Sequence, residues 1–372
     1  MDFAFTEEQE ALRDLAARIF SDLSTPERLK EVEAGDERFD RKLWSELAAA
    51  GVLGASLPES AGGAGLGFLA AGIVAEEAGR TAAAVPFVAA AVLGAAPIAQ
   101  FGDAAQQQRW LDPMVGGDLV LSAALVEEGG DPYHPLTAAT RDGGAWRIDG
   151  AKSFVPAGML AGALVVSART DDGIGLFVVD AAAPGVTRRP QEATSHQIEA
   201  EVELAGVVVG PGDVLVAGAD GAAALGWLLE RAEAALCVQV AGACKAAVAL
   251  TAQYTAQREQ FGKPIATFQA VGQRAADAYI DAEAVRLTAW QAVWRLSEGL
   301  PATAEVAVAK FWADDGAQRV VHGAQHLHGG VGVDRDYPLH RYYLLVKHLA
   351  LSLGGATTSL LRLGAVLADE PA

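Results

Sequence analysis

Apolar and polar positions follow three successive rhythms along this chain. From Thr6 to about Leu121 the apolar residues recur at helical spacing. Thr6 followed three positions later by Gln9 forms a capping-box signature, and Phe5, Leu12, Leu15 and Ile19 fall near one stripe of the helix that follows. A second helix is predicted around Arg41–Ala50, ending at Gly51. The turn-rich link Pro58-Glu59-Ser60-Ala61-Gly62-Gly63-Ala64-Gly65-Leu66-Gly67 precedes a helical stretch from Phe68 to Gly79 that carries the pair Glu76-Glu77.

Between about Leu121 and Gly221 the rhythm shortens to alternation. Trp146–Gly150, Ala163–Arg169, Gly175–Asp180, Gly185–Arg189 and Glu199–Leu204 are short strand candidates separated by Gly, Pro and Asp. Such spacing suits a small barrel or sandwich, and no alternation with helices argues for a parallel sheet. After Ala222 long helical periods return, over Ala222–Arg258, Phe268–Gly299, Thr303–Gln325 and about Leu339–Leu367, as in a four-helix arrangement. The predicted class is therefore α+β, mainly α, with an N-terminal helical domain (1–120), a middle β domain (121–221) and a C-terminal four-helix bundle (222–372).

Composition narrows the partners. A hydrophobic share of 51% over 372 residues is ample for a large core, while a formal net charge of −19 repels nucleic acid and anionic membranes. An anionic ligand would need a local positive pocket. Cys237 and Cys244 are seven positions apart on a predicted helix, roughly 10 Å along its axis and too far for a disulfide. The start Met1-Asp2-Phe3-Ala4-Phe5 lacks the basic and apolar regions of a signal peptide, so the cytoplasm is the expected compartment. The uncharged run Thr81–Gly102 is long enough to span a bilayer, but it is rich in Ala, contains Pro86 and Pro97 and has no basic flanks, which suits buried helices better.

Several short motifs then occur in one order: Asp2-Phe3-Ala4-Phe5-Thr6-Glu7-Glu8-Gln9, Pro58-Glu59 with the Gly62-Gly63 turn, Glu76-Glu77, Arg258-Glu259-Gln260-Phe261-Gly262-Lys263-Pro264-Ile265, Phe268-Gln269 and His328-Gly329-Gly330-Val331-Gly332. Together they resemble the acyl-CoA dehydrogenases over essentially the whole chain. The resemblance implies a helical domain, a β-barrel-like middle domain and a four-helix bundle, assembled as tetramers, with FAD between the last two domains and a neighbouring subunit serving its diphosphate and adenine end. It implies an acyl-CoA substrate desaturated at the α,β-position and an electron-transfer flavoprotein as acceptor. Cofactor contacts carried over are Arg258, Phe261, Gln269, His326 (in place of a family glutamine), Gly329 and Gly330. A guanidinium suits a pyrophosphate because it keeps its charge and presents paired donors. Arg258 as a simple helix C-terminal cap is the competing reading.

Departures from the family fall on the catalytic side. Removing a proton next to a thioester while the other carbon yields hydride needs a facing carboxylate. The family's tyrosine–glutamate–glycine–threonine segment aligns with Leu353-Gly354-Gly355-Ala356, so Gly354 stands where a base would be. The alternative family position, on the first bundle helix, is Ala232; its neighbour Glu233 is the remaining catalytic candidate, though a helical step of about 100° turns it away. Glu230, Arg231 and Glu233 otherwise suit a solvated or subunit-facing charge cluster. Two ring-binding threonines are replaced by Val126 and Pro156, neither of which offers a side-chain donor, while the adjacent aromatic is kept as Phe154.

What survives is the part that serves a neighbour's flavin. This pattern resembles the incomplete subunit of actinobacterial α2β2 heterotetrameric acyl-CoA dehydrogenases, some of which act on steroid side chains, and the Tyr337–Tyr343 segment is similar to theirs. The expectation is a subunit that works with a homologous catalytic subunit. The alternatives are a self-sufficient homo-oligomer with a relocated base and a flavin-free acyl-CoA-binding scaffold. His322, His326 and His328 raise zinc as a rival, but a third ligand of good geometry is not evident and no metal is expected; His340 and His348 are expected at the surface.

Overall fold

A computed structural model describes residues 4–369; Met1, Asp2 and Phe3 of the N-terminal motif lie outside the described residues. Six helices open the chain: α1 (Glu7–Leu23), α2 (Pro26–Ala34), α3 (Arg41–Ala49), α4 (Gly67–Arg80), α5 (Ala96–Phe101) and α6 (Ala104–Val115). The Thr6 capping box forms, with Gln9 N–H donating to the Thr6 hydroxyl and the Gln9 amide oxygen accepting from Thr6 N–H. The uncharged run becomes a π-helical segment, Val88–Ala95, that continues into α5 and is buried throughout.

The middle of the chain is one mixed sheet of β1 (Leu121–Ala124), β2 (Ala138–Asp142), β3 (Ala145–Pro156), β4 (Ala163–Thr170), β5 (Gly173–Asp180), β6 (Val186–Glu192), β7 (Ile198–Val209) and β8 (Val214–Gly218). Its order is β6-β7-β3-β2-β4-β5-β8, with β1 also paired to β4. Two pairings, β1–β4 and β2–β4, are parallel, which the absence of helical crossovers did not suggest. The chain makes those returns through the β2–β3 hairpin instead. Strands β1, β2 and β8 were not anticipated; β1 is a wholly buried Leu-Ser-Ala-Ala run without alternation. On β4, Ala163 and Val165 join the core shared with the helices while Leu164, Val166 and Ala168 join a second core inside the sheet domain, so the run is apolar on both faces.

The bundle comprises α7 (Gly221–Gln257), α8 (Gln269–Ser297), α9 (Thr303–Phe311) joined through a π turn to α10 (Ala317–His328), then α11 (Leu339–Leu351) and α12 (Ala356–Asp369). Between α7 and α8 lies a small hairpin, β9 (Glu259–Gln260) and β10 (Lys263–Pro264). The single last helix expected over Leu339–Leu367 is broken. Leu353 and Gly354 have φ of 59° and 114°, values that a helix cannot contain. Helix α7 is long and apolar enough to cross a membrane, but here it is the bundle's central helix, packed by α4, α8, α10 and α11. Cys237 and Cys244 are buried and unpaired, and burial pushes both thiols up.

Helices α4 and α7 touch backbone to backbone. A Cβ at Gly79 would lie 1.9 Å from the Gln239 carbonyl oxygen, and one at Gly242 would lie 2.0 Å from that of Glu76. No side chain fits at either point, so this crossing locks the N-terminal helices to the bundle. Gly242→Ala is expected to cost about 3 kcal/mol in urea unfolding by forcing the helices apart. Gly226→Ala, in the same helix but facing open space, should stabilise the protein by about 0.5–1 kcal/mol.

Candidate functional site

Where the helices, the sheet and the bundle meet, a cleft of about 820 Å³ opens. Much of its wall is apolar, with Leu29 and Val32 of α2, the Val85–Val88 segment, Leu125, Val126 and Pro156 of the sheet domain, Leu236 of α7 and Leu349 of α11, while Arg38, Asp131, His196 and Lys347 also contribute. The broken turn at Leu353-Gly354 lines it as well.

That turn is held from behind. Lys310 of α9, buried with its side chain 2% exposed, donates to the Gly354 carbonyl at 3.1 Å and pairs with Asp314 one turn along. Burial pushes the Asp314 carboxyl up to about 7, with Lys310 pulling the other way. A glutamate grafted at Gly354 would have to adopt φ near 114°, with its Cβ 3.3 Å from Thr358. Gly354→Glu is therefore expected to lower the melting temperature without creating a carboxylate aimed into the cleft, as thermal denaturation and a turnover assay would show.

Glu233 is not solvent-facing, contrary to expectation. It is buried, ion-paired with Arg362 of α12, and absent from the cleft wall. Burial raises its pKa against the pull of Arg362. Arg362 also lies over the Tyr133 ring at 4.4 Å, so this charge ties the C-terminal helix to the loop after β1. Its neighbours are half-exposed: Thr303 donates to Glu230 at 2.6 Å, and Arg231 stacks on Trp227 at 4.0 Å and is pushed down to about 10 by burial. Glu233 thus turns into the core of the bundle, while Glu230 and Arg231 stay half-exposed on α7.

The residues carried over as cofactor contacts lie elsewhere, at the far end of α7. Arg258 ends the helix, its N–H donating to Tyr254 O, and its guanidinium is exposed without an ion-pair partner among the described residues. The cap reading thus holds for its backbone and leaves its side chain free. Phe261 occupies the hairpin turn with φ of 55° and is 92% exposed. Gln269 opens α8, also exposed. His328 stacks on Tyr254, ring centroids 4.3 Å apart, and this brings the end of α10, with His326, Gly329 and Gly330, to the same end of the bundle. His326 and both glycines are exposed, and the glycines face open space. The three histidines diverge: His322 faces Tyr343 and His328 meets Tyr337, and no group of three metal-binding side chains occurs among the described residues.

The ring-binding side does not fit a flavin. Val126 and Pro156 line the cleft and offer no side-chain donor. Around Pro156 the backbone donors are engaged: Phe154 N–H donates to the Gln191 amide oxygen, Ala157 N–H to Ile198 O and Gly158 N–H to Val155 O. A ring laid there would find no side-chain donor at Val126 or Pro156.

Two titratable groups in this cleft were not anticipated. Glu199 of β7 and His348 of α11, the latter expected at the surface, face each other with Oε1 and Nε2 3.4 Å apart. Their side chains are 8% and 16% exposed. Burial pushes Glu199 up to about 7 and His348 down to about 4. Nothing in the local pattern marks them; the β7 register, which sets Glu199 opposite Pro156, and the turn of α11 bring them together.

This pair has a signature in stability. Between about pH 4.5 and 6.5 the folded pair holds one proton, on Glu199, and the unfolded pair also holds one, on His348, so the two pH slopes cancel. Glu199→Gln removes the raised carboxyl and leaves the depressed imidazole. Stability should then climb with pH from about 4 to 6.5, by up to ~3 kcal/mol. His348→Gln leaves the raised carboxyl, and stability should fall as pH rises from about 4.5 to 7. Urea melts at half-unit pH steps would check both.

Family models for the acyl-CoA dehydrogenase N-terminal, middle and C-terminal domains match residues 6–118, 126–205 and 219–365. The chain belongs to the acyl-CoA dehydrogenase family. It is similar to acyl-CoA dehydrogenase FadE27 of Mycobacterium tuberculosis, 41% identical over 380 residues, covering 100% of each chain. Among solved structures it resembles a chain of the ChsE4-ChsE5 complex from Mycobacterium tuberculosis (40% identical, TM-score 0.94, 100% of each chain). It also resembles a chain of a variant of the Tcur3481-Tcur3483 steroid ACAD (44% identical, TM-score 0.92, 98% of each chain). This acyl-CoA dehydrogenase thus has the family's fold, with Arg258, Phe261 and Gln269 at an exposed end of the bundle and Val126, Pro156 and Gly354 in the cleft.

Proposed function

We propose that this acyl-CoA dehydrogenase is the incomplete subunit of a heteromeric enzyme that desaturates a bulky acyl-CoA, of steroid type, at the α,β-position with FAD. One observation carries the reading: the groups suited to a diphosphate are exposed at the surface, while the cleft of the same chain has no side-chain donor at Val126 or Pro156 and no base at Gly354. A lone subunit has no use for an unpaired guanidinium beside a 92% exposed Phe261; a homologous subunit docked on that end would cover both. The partner would supply the ring contacts and the carboxylate. Arg258, Phe261 and Gln269, with His326, Gly329 and Gly330 nearby, would complete its cofactor site. Similarity to chains of a two-component complex and of a steroid enzyme supports both the pairing and the substrate class. A cytoplasmic location and an electron-transfer flavoprotein as acceptor belong to the same proposal.

Production of the chain alone and together with a co-purifying homologue, followed by visible spectroscopy, tests it. The chain alone should carry little flavin and the pair should carry FAD and turn over. Arg258→Ala should weaken FAD binding in the pair by about 2 kcal/mol, ~30-fold, through loss of charge-assisted hydrogen bonds. Stoichiometric FAD with turnover by the isolated chain would overturn the reading in favour of a self-sufficient enzyme. Acyl-CoA binding by a pair that holds no flavin and shows no turnover would favour a scaffold.

A further inference from the structure

The cleft is not an empty remnant. At about 820 Å³ it is near the upper end of cavities that hold drug-sized molecules, and its walls come from all three regions of the chain. In a wall that mixes apolar side chains with polar ones such as Thr194 and His196, Glu199 has only 8% of its side chain exposed yet receives no hydrogen bond from any described residue. The imidazole of His348 approaches it to 3.4 Å without hydrogen-bond alignment. A carboxyl and an imidazole left so are costly unless something in the cleft pairs with them. No ammonium or guanidinium of the chain pairs with Glu199 among the described residues, so an anionic ligand group would meet no countercharge at this point. A charged ligand group is disfavoured beside this pair, and a neutral group that both donates and accepts is suited.

We infer that Glu199 and His348 are a recognition pair for an uncharged hydroxyl or carbonyl group on a bulky, otherwise apolar ring system lodged in the cleft of this subunit. The protonated carboxyl donates to the ligand oxygen and its carbonyl oxygen accepts from a hydroxyl, while the neutral imidazole offers one donor and one acceptor alongside. The loss of donors at Val126 and Pro156 is then a change of occupant: the space that would take a donor-requiring ring is lined for an apolar one. The inference uses the acyl-CoA reading for the ligand's attachment and nothing about the partner.

The test is calorimetry on the full chain with the CoA thioester of a decahydronaphthalene carboxylic acid bearing a ring hydroxyl, beside its deoxy counterpart, and with the methyl esters of both acids. The hydroxylated member of each pair should bind ~10-fold tighter to the native chain, the discrimination expected of one satisfied buried hydrogen bond. The preference should vanish in Glu199→Ala and persist in Glu199→Gln, whose amide still donates and accepts; melting curves establish that both variants fold. Binding of the methyl esters with that preference but not of the thioesters would keep the pair's role and remove the acyl-CoA reading. Equal affinity for the members of both pairs, an undiminished preference in Glu199→Ala, or competition by lumiflavin would overturn the inference.

Discussion

The contact between α4 and α7 sets the geometry on which the cleft depends. With glycine at 79 and 242 the two backbones come within reach of each other's carbonyls, and no rotamer change could accommodate a side chain there. That close approach presents Leu236 and Gln239 of α7 to the cleft beside the Ala82–Ala89 segment that follows α4. It fixes one wall by backbone contact, which is stiffer than side-chain packing. The remaining walls, from the sheet and from α11, are then positioned against a rigid reference.

A second constraint acts on the broken turn. Lys310 cannot sit unpaired in the core, and Asp314 with the carbonyls of Ala350 and Gly354 satisfies its ammonium. The cost of leaving any of these unpaired keeps the turn in one conformation. Glu233 and Arg362 form a second buried pair, so α12 is held by charge as well as by packing. These charges are structural: each faces a partner inside the protein, whereas Glu199 and His348 face the cleft.

Much of the fold was legible in the chain because its signals are local. The Thr6 capping box, the helical stripes and the alternation at the start of β3 each depend on residues within a few positions. Strand β1 and the break before α12 were not legible for the opposite reason. A four-residue apolar run has no period, and Gly354-Gly355 looks like a tolerated pair until the distant Lys310 captures the carbonyl. In the same way the burial of Glu233 depends on Arg362, 129 positions away. His348 looked like a surface residue because its partner lies on a strand of another region.

Gly354 and Arg258 are held in place by different physics. Gly354 is enforced by its backbone: φ of 114° excludes a side chain, so the chain cannot regain a base there by one substitution without unmaking the turn. Arg258, by contrast, has its side chain exposed beyond the helix end, where no described residue pairs with its guanidinium. An exposed guanidinium that no described residue pairs with, on a chain that has glycine where the family's base would align, is what the proposed pairing with a second subunit accounts for.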